Sequence, residues 1–261
     1  MVAASPHLSS MSSLKLRRIG VADLHWALRE GVRDFLALRG DFLFAGIIYP
    51  AVALIAAAFA LNRHMVPLIF PMAATFTLLG PVIAIGFYEL ARRREKGLET
   101  GWNHFFDPLR GTSRVQILGL AAALTIMAIG WMVAARAIYD ATLGTLAPAD
   151  VGAFLTQLFG TPEGWRLIVI GNAVGLCFAI VTLTISVISF PMLVDRPVHA
   201  SDAVEASFRA TVQNPIVIFR WGLYVAIILA VACIPAFIGL AVALPVLGYA
   251  SWHLYTRIVE R

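Results

Sequence analysis

Six histidines are the first side chains in this 261-residue sequence that invite chemistry, since imidazoles at matching depth in a helical bundle hold haem or a metal ion. Their placement argues against it. His25, His104, His199 and His253 fall beside basic connections, His64 in a turn and His7 in the leader, and no two stand four residues apart. Cys177 and Cys233 make no CxxC or metal-ligand spacing and read as packing thiols. There is no phosphate-cradling glycine loop, nucleophile elbow or zinc-protease motif. The expectation is a chain without cofactor or metal, and not an enzyme.

A solute pathway is the next chemistry to weigh. Gly171, Asn172, Gly175, Ala179, Thr182, Ser186 and Ser189 share an arc of about 100° on one helix, at ~100° per residue. Such a face lines a polar path, or it packs tightly through a GxxxG step at Gly171 and Gly175. Ionisable residues in apolar segments are functional hypotheses, yet here they sit near segment ends. Glu89 is expected to pair with Arg92 and Arg93, Arg136 to snorkel or pair with Asp140, and Arg220 to snorkel; His253 lies at the same interface. Prolines punctuate the segments: Pro71 and Pro81 are ten residues apart, as are Pro235 and Pro245, and Pro191 stands alone. They are hinge or ion-coordination candidates, or plain kinks.

The elements that carry these residues are membrane helices. Hydrophobic residues make up 60% of the chain and charged residues only 13%, about half the usual soluble proportion. Six apolar stretches, near 42–61, 66–89, 115–138, 167–194, 216–233 and 236–256, each have the ~20 residues that cross a bilayer core. Of the 20 lysines and arginines, all but Arg63, Arg136 and Arg166 fall on one side of these spans. By the positive-inside rule that side is the cytoplasm, and both termini lie there. The net charge of +5 therefore points to the membrane and not to nucleic acid. Residues 1–19 read as a disordered basic leader, 20–258 as one six-span membrane domain and 259–261 as the C-terminal end.

Surface helices precede the odd spans. Leu24, Leu28, Val32, Phe35 and Leu36 recur at helical spacing opposite Arg29, Glu30, Arg33 and Asp34, the pattern of an interfacial helix. Trp102, Phe105 and Phe106 suggest a shorter version. Before the fifth span, Ser201 or Asp202 is expected to cap a helix that Asn214 and Pro215 end. The fold class is all-α: six spans as three pseudo-repeated hairpins, each led by a cytoplasmic amphipathic helix, in parallel repetition. On the other side, Val151, Phe154, Leu155, Leu158 and Phe159 mark a further amphipathic helix, with Pro148 suited to its first turn.

The segments Phe70-Pro71 to Gly80-Pro81, Tyr88-Glu89-Leu90-Ala91-Arg92-Arg93, Phe190-Pro191-Met192-Leu193-Val194-Asp195-Arg196, Leu244-Pro245-Val246-Leu247-Gly248 and Trp252-His253-Leu254-Tyr255 carry a resemblance. Over roughly residues 20–258 the chain resembles an uncharacterised bacterial inner-membrane family, domain of unknown function 2189, whose members are sometimes labelled cytochrome c oxidase subunit I-like. That label implies haem and copper ligands; the in-span histidines it needs are absent, and no catalytic residue carries over. The expected role is an accessory, assembly or membrane-organising protein that engages anionic lipid at its cytoplasmic face, with a membrane-protein partner or oligomer. The alternatives are a small permease or channel, and an accessory respiratory subunit without its own haem.

Overall fold

The computed structural model describes residues 14–38, 67, 69–144, 151–234 and 239–261. Among these the chain is helical, with one isolated antiparallel bridge between Leu16 and Val259. The helices are α1 (Val21–Ala37), α2 (Ile69–Leu78), α3 (Gly80–Ile83), α4 (Ile85–Glu95), α5 (Arg114–Thr142), α6 (Val151–Gly160), α7 (Pro162–Ser186), α8 (Ser189–Asp195), α9 (Ala200–Gln213), α10 (Pro215–Cys233) and α11 (Leu240–Ile258). Two 3₁₀ turns, Trp102–His104 and Asp107–Leu109, join α4 to α5.

Three of these runs are long and apolar enough to cross a membrane: α5 with 29 residues, α7 and α8 together with 34, and α10 with 19. They coincide with the stretches expected at 115–138, 167–194 and 216–233. Helix α6 is apolar but has only 10 residues. The expected span 42–61, with Pro235, Arg63, His64, His7 and Pro148, lies outside the described residues. From Ile69 onward the span expected at 66–89 is three helical pieces, interrupted at Leu79 and Ala84. Pro81 explains the interruption, since it lacks an N–H and its ring crowds the carbonyl four residues back. Pro191 likewise separates α7 from α8, whereas Pro245 is carried inside α11 without a break.

The chain divides into two compact units, residues 1–42, 81–120 and 183–261, and residues 43–80 and 121–182. In the first, α11 is the central helix, with Val246 to Ala250, Trp252, Leu254, Tyr255 and Ile258 all buried. Helix α1 crosses it at Gly31, where a Cβ would stand 2.6 Å from the Val246 carbonyl oxygen. The buried face of α1 is therefore Leu24, Ala27, Gly31 and Asp34, while Val32 and Leu36 stay exposed. Asp34, expected on the water side, is buried because the small residues share its face and admit α11. Helix α4 meets α11 through Phe87, whose ring stands edge-on to Tyr249 at 5.4 Å and to Phe105 at 5.1 Å. Trp102 and Phe105 are thus partly buried packing residues, and Phe106 alone of the three is exposed.

Side chains close the gaps that the helix ends leave. Ser207 on α9 accepts the Ile188 N–H at 3.2 Å and donates to the Thr184 carbonyl at 2.7 Å, satisfying two backbone groups at the Pro191 break. The start of α9 differs from expectation: neither Ser201 nor Asp202 caps it. His199 occupies the cap position but its side chain does not cap the helix, and Gln116 Oε1 on α5 accepts the Ala200 N–H at 2.9 Å. Asn214 ends α9 as expected and accepts the Ile19 N–H at 2.9 Å, and Pro215 opens α10. Residues 15–17 of the leader pair with the chain end, Arg17 N–H donating to Ile258 O and Glu260 N–H to Lys15 O.

The second unit is built on Trp131. Its ring packs with Leu78, Ala135 and Phe178, and its indole N–H donates to the Pro71 carbonyl at 2.9 Å. Burying an indole requires such an acceptor.

Candidate functional site

Charges in the first unit collect around three sequestered carboxylates. Glu89 on α4 is 2% exposed and is forked by Arg92, whose Nε and Nη2 donate at 2.8 and 2.7 Å; Arg93 Nη1 stands at 3.7 Å. This hydrogen-bonded fork raises the Arg92 pKa above its ordinary value, so the guanidinium stays charged. Asp34 on α1, 6% exposed, receives His253 Nε2 of α11 at 2.8 Å and Arg94 Nη1 of α4 at 2.9 Å. Asp195, at the end of α8, accepts the Tyr255 hydroxyl at 2.9 Å and faces Lys96, Arg196 and Arg261 at 3.5–3.9 Å. Each acid draws on an element other than its own, except Glu89.

A second shell of cations and rings surrounds them. Glu95 accepts the Trp252 indole N–H at 3.1 Å and a hydrogen bond from Arg261, whose guanidinium lies over the Trp252 ring at 5.5 Å. Arg257 stacks on Trp26 at 3.9 Å. His104 Nδ1 meets Asp107 at 2.7 Å, and Arg93 Nη2 approaches His104 Nε2 at 3.3 Å. Buried acids demand such partners, because an unpaired carboxylate in a dry interior is costly. The arrangement locks α1, α4, α8 and α11 together. Among the described residues no three of His, Cys, Asp and Glu form a group able to hold a metal.

The predicted pathway face is distributed differently. Gly171 meets nothing that a Cβ would touch, so it brings no backbone close, and Gly175 faces the Trp131 ring instead. Asn172 is exposed and turns its amide to the Ile168 carbonyl of its own helix at 2.7 Å. Thr182 donates to Met127 Sδ at 3.1 Å, and Ser189 to Ile185 O at 2.5 Å. Ser186 is buried in the first unit, near the break. Arg136 pairs with Asp140 at 2.8 Å, as anticipated, and Arg220 is exposed. A groove of about 410 Å³ in the second unit is lined by Leu79, Ile129, Met132 and Val133 with Thr75 and Thr125. Both hydroxyls bond to carbonyls of their own helices, at 2.9 Å each, so the groove presents apolar surface.

Sequence reading found Glu89 with its arginines and marked His253, but missed Asp34 and Asp195. The available signal for Asp34 was Gly31, since glycine weakens a helix and earns its place where another backbone approaches.

No curated protein and no solved structure gives a significant match to the chain. The model of the family described as "Predicted integral membrane protein (DUF2189)" matches residues 69–195, a narrower stretch than the 20–258 over which the resemblance was expected. That description names no activity, and the oxidase label finds no support in it. The matched stretch contains α5 and the α7–α8 run, two of the three helices of spanning length. Over residues 69–195 the chain is therefore similar to this family of predicted integral membrane proteins.

Proposed function

We propose that the chain is a six-span protein of the bacterial inner membrane with both termini cytoplasmic, built as three hairpins each led by a surface helix. Its role is non-enzymatic: an accessory, assembly or membrane-organising protein whose cytoplasmic face engages anionic lipid and a membrane-protein partner. The observation that carries this reading is the sorting of charge in the first unit. Asp34, Glu89 and Asp195 are turned inward and neutralised, while Arg18, Arg29, Arg110, Arg114 and Arg220 are exposed. Exposed apolar side chains stand in the same segments, among them Leu36, Phe106, Phe208, Val212, Ile216 and Phe219. Cations and apolar side chains side by side suit the headgroup layer of an anionic leaflet. The one-sided distribution of basic residues supports the orientation.

The test is purification into nanodiscs of mixed phosphatidylglycerol and phosphatidylcholine, read by native mass spectrometry and visible absorbance. Enrichment of phosphatidylglycerol, or a reproducible protein partner, is the expected result. A stoichiometric Soret band in the isolated chain would overturn the cofactor-free reading. Solute flux through proteoliposomes above that of empty vesicles would replace the accessory role with a permease.

A further inference from the structure

Within the cytoplasmic face assigned above, and resting on that reading, one turn stands out by its charge. Asp107 is the only acid between Gly101 and Tyr139. Its carboxylate is already engaged, by His104 Nδ1 at 2.7 Å and Arg93 Nη1 at 3.5 Å. The arginines that follow, Arg110 and Arg114, are exposed and have no ion-pair partner among the described residues. Two successive backbone turns carry them: the Asp107 carbonyl accepts the N–H groups of Arg110 and Gly111 at 2.9 and 3.0 Å, and the Arg114 N–H donates to the Gly111 carbonyl at 3.3 Å. Around them Phe106, Leu109, Val115 and Leu118 are 53%, 38%, 65% and 55% exposed.

We infer that this turn binds the phosphate of an anionic bilayer phospholipid, held by the Arg110 and Arg114 guanidinium groups, with the four apolar side chains against its acyl chains. Guanidinium groups supply charge-assisted bonds to phosphate oxygens in a fork that lysine lacks. A free phosphate ion would satisfy the two cations but gain nothing from the apolar surround, so the complementarity selects a lipid. Asp107 opposes binding less than a free acid would, because His104 and Arg93 already hold its carboxylate.

The test uses the full chain purified from mixed phosphatidylglycerol and phosphatidylcholine, with retained lipid counted by native mass spectrometry. R110Q/R114Q is expected to lower phosphatidylglycerol retention roughly 30-fold, the factor for two cations near an anionic surface. R33Q serves as control, since exposed Arg33 is already held by Glu30 at 2.6 Å, and it is expected to retain lipid as the parent does. R110K/R114K should recover part of the loss. Millimolar inorganic phosphate should leave the bound lipid in place; displacement by it would overturn the lipid assignment. Equal retention by the parent and R110Q/R114Q would refute the site while leaving the cytoplasmic-face reading intact. If the parent shows no preference for phosphatidylglycerol, the broader reading fails and the site with it.

Discussion

The two units differ in how far their polar groups reach, although Thr211, Ser251 and Thr256 of the first also bond within their own helices. In the first, polar groups reach across elements: Asp34 to α4 and α11, Asp195 to α11, Ser207 to the α7–α8 break, Asn214 to the leader. In the second, most described hydroxyls and amides turn to their own helix, as Thr75, Thr125 and Asn172 do, and Trp131, Trp165 and Thr182 are cross-helix exceptions. Helices in hydrocarbon must satisfy their groups locally, and a segment that does so has apolar surface left to offer. The first unit instead spends its sequence on ions, which are tolerable only where every member finds a partner.

Breaking the ionic unit should have the largest effect. Glu89→Ala leaves the Arg92 guanidinium, 22% exposed, without its acid, while Arg93 keeps Asp107 at 3.5 Å. A loss of about 3–5 kcal/mol is expected, read as a lower unfolding midpoint in detergent; an unchanged midpoint would show that the charges hold nothing together. Next comes Gly31→Val, which drives a side chain into the Val246 carbonyl and should cost about 1–3 kcal/mol or more. Its counterpart Gly171→Val, in the second unit, meets open space and should leave the midpoint unchanged or slightly raised, since valine is a better helix former than glycine. Equal losses at the two glycines would erase the contrast between the units. Ser207→Ala removes both bonds at the Pro191 break, for about 1–3 kcal/mol; faster amide exchange at Ile188 than elsewhere in α8 would localise the effect. The smallest is Arg136→Gln, whose pair with Asp140 is exposed on both sides and should leave the midpoint unchanged.

Local features were legible in the sequence. Three apolar runs, the i,i+3 pair of Glu89 with Arg92 and the i,i+4 pair of Arg136 with Asp140 follow from helical period alone. So does the stop at Asn214 and Pro215. What escaped depends on which face of a helix is covered. On α1 the apolar stripe was expected at the membrane interface, and Val32 and Leu36 are exposed, but the line Ala27, Gly31 and Asp34 that meets α11 was not singled out. Helix α9 repeats this with Ala203, Ala206 and Ala210 inward and Phe208 and Val212 outward. Where lipid replaces water, large apolar residues mark the exterior and small ones the contact, which inverts the rule used for soluble helices. The α9 cap was missed because its acceptor, Gln116, comes from another helix 84 residues away.

The contact between α1 and α11 also sets an order of events. Asp34 and His253 are separated by 219 residues, so all of that intervening chain must be made before the pair forms. At about 5–20 residues per second that interval is roughly 10–45 s. Throughout it the Gly31 face of α1 has no α11 to receive it and Asp34 lacks its imidazole, so the first of the described helices is among the last of them to be docked. Docking of α1 therefore waits on a closure step in which α11 captures a helix made long before it, and the bridge from Leu16 to Val259 is the clasp that records it.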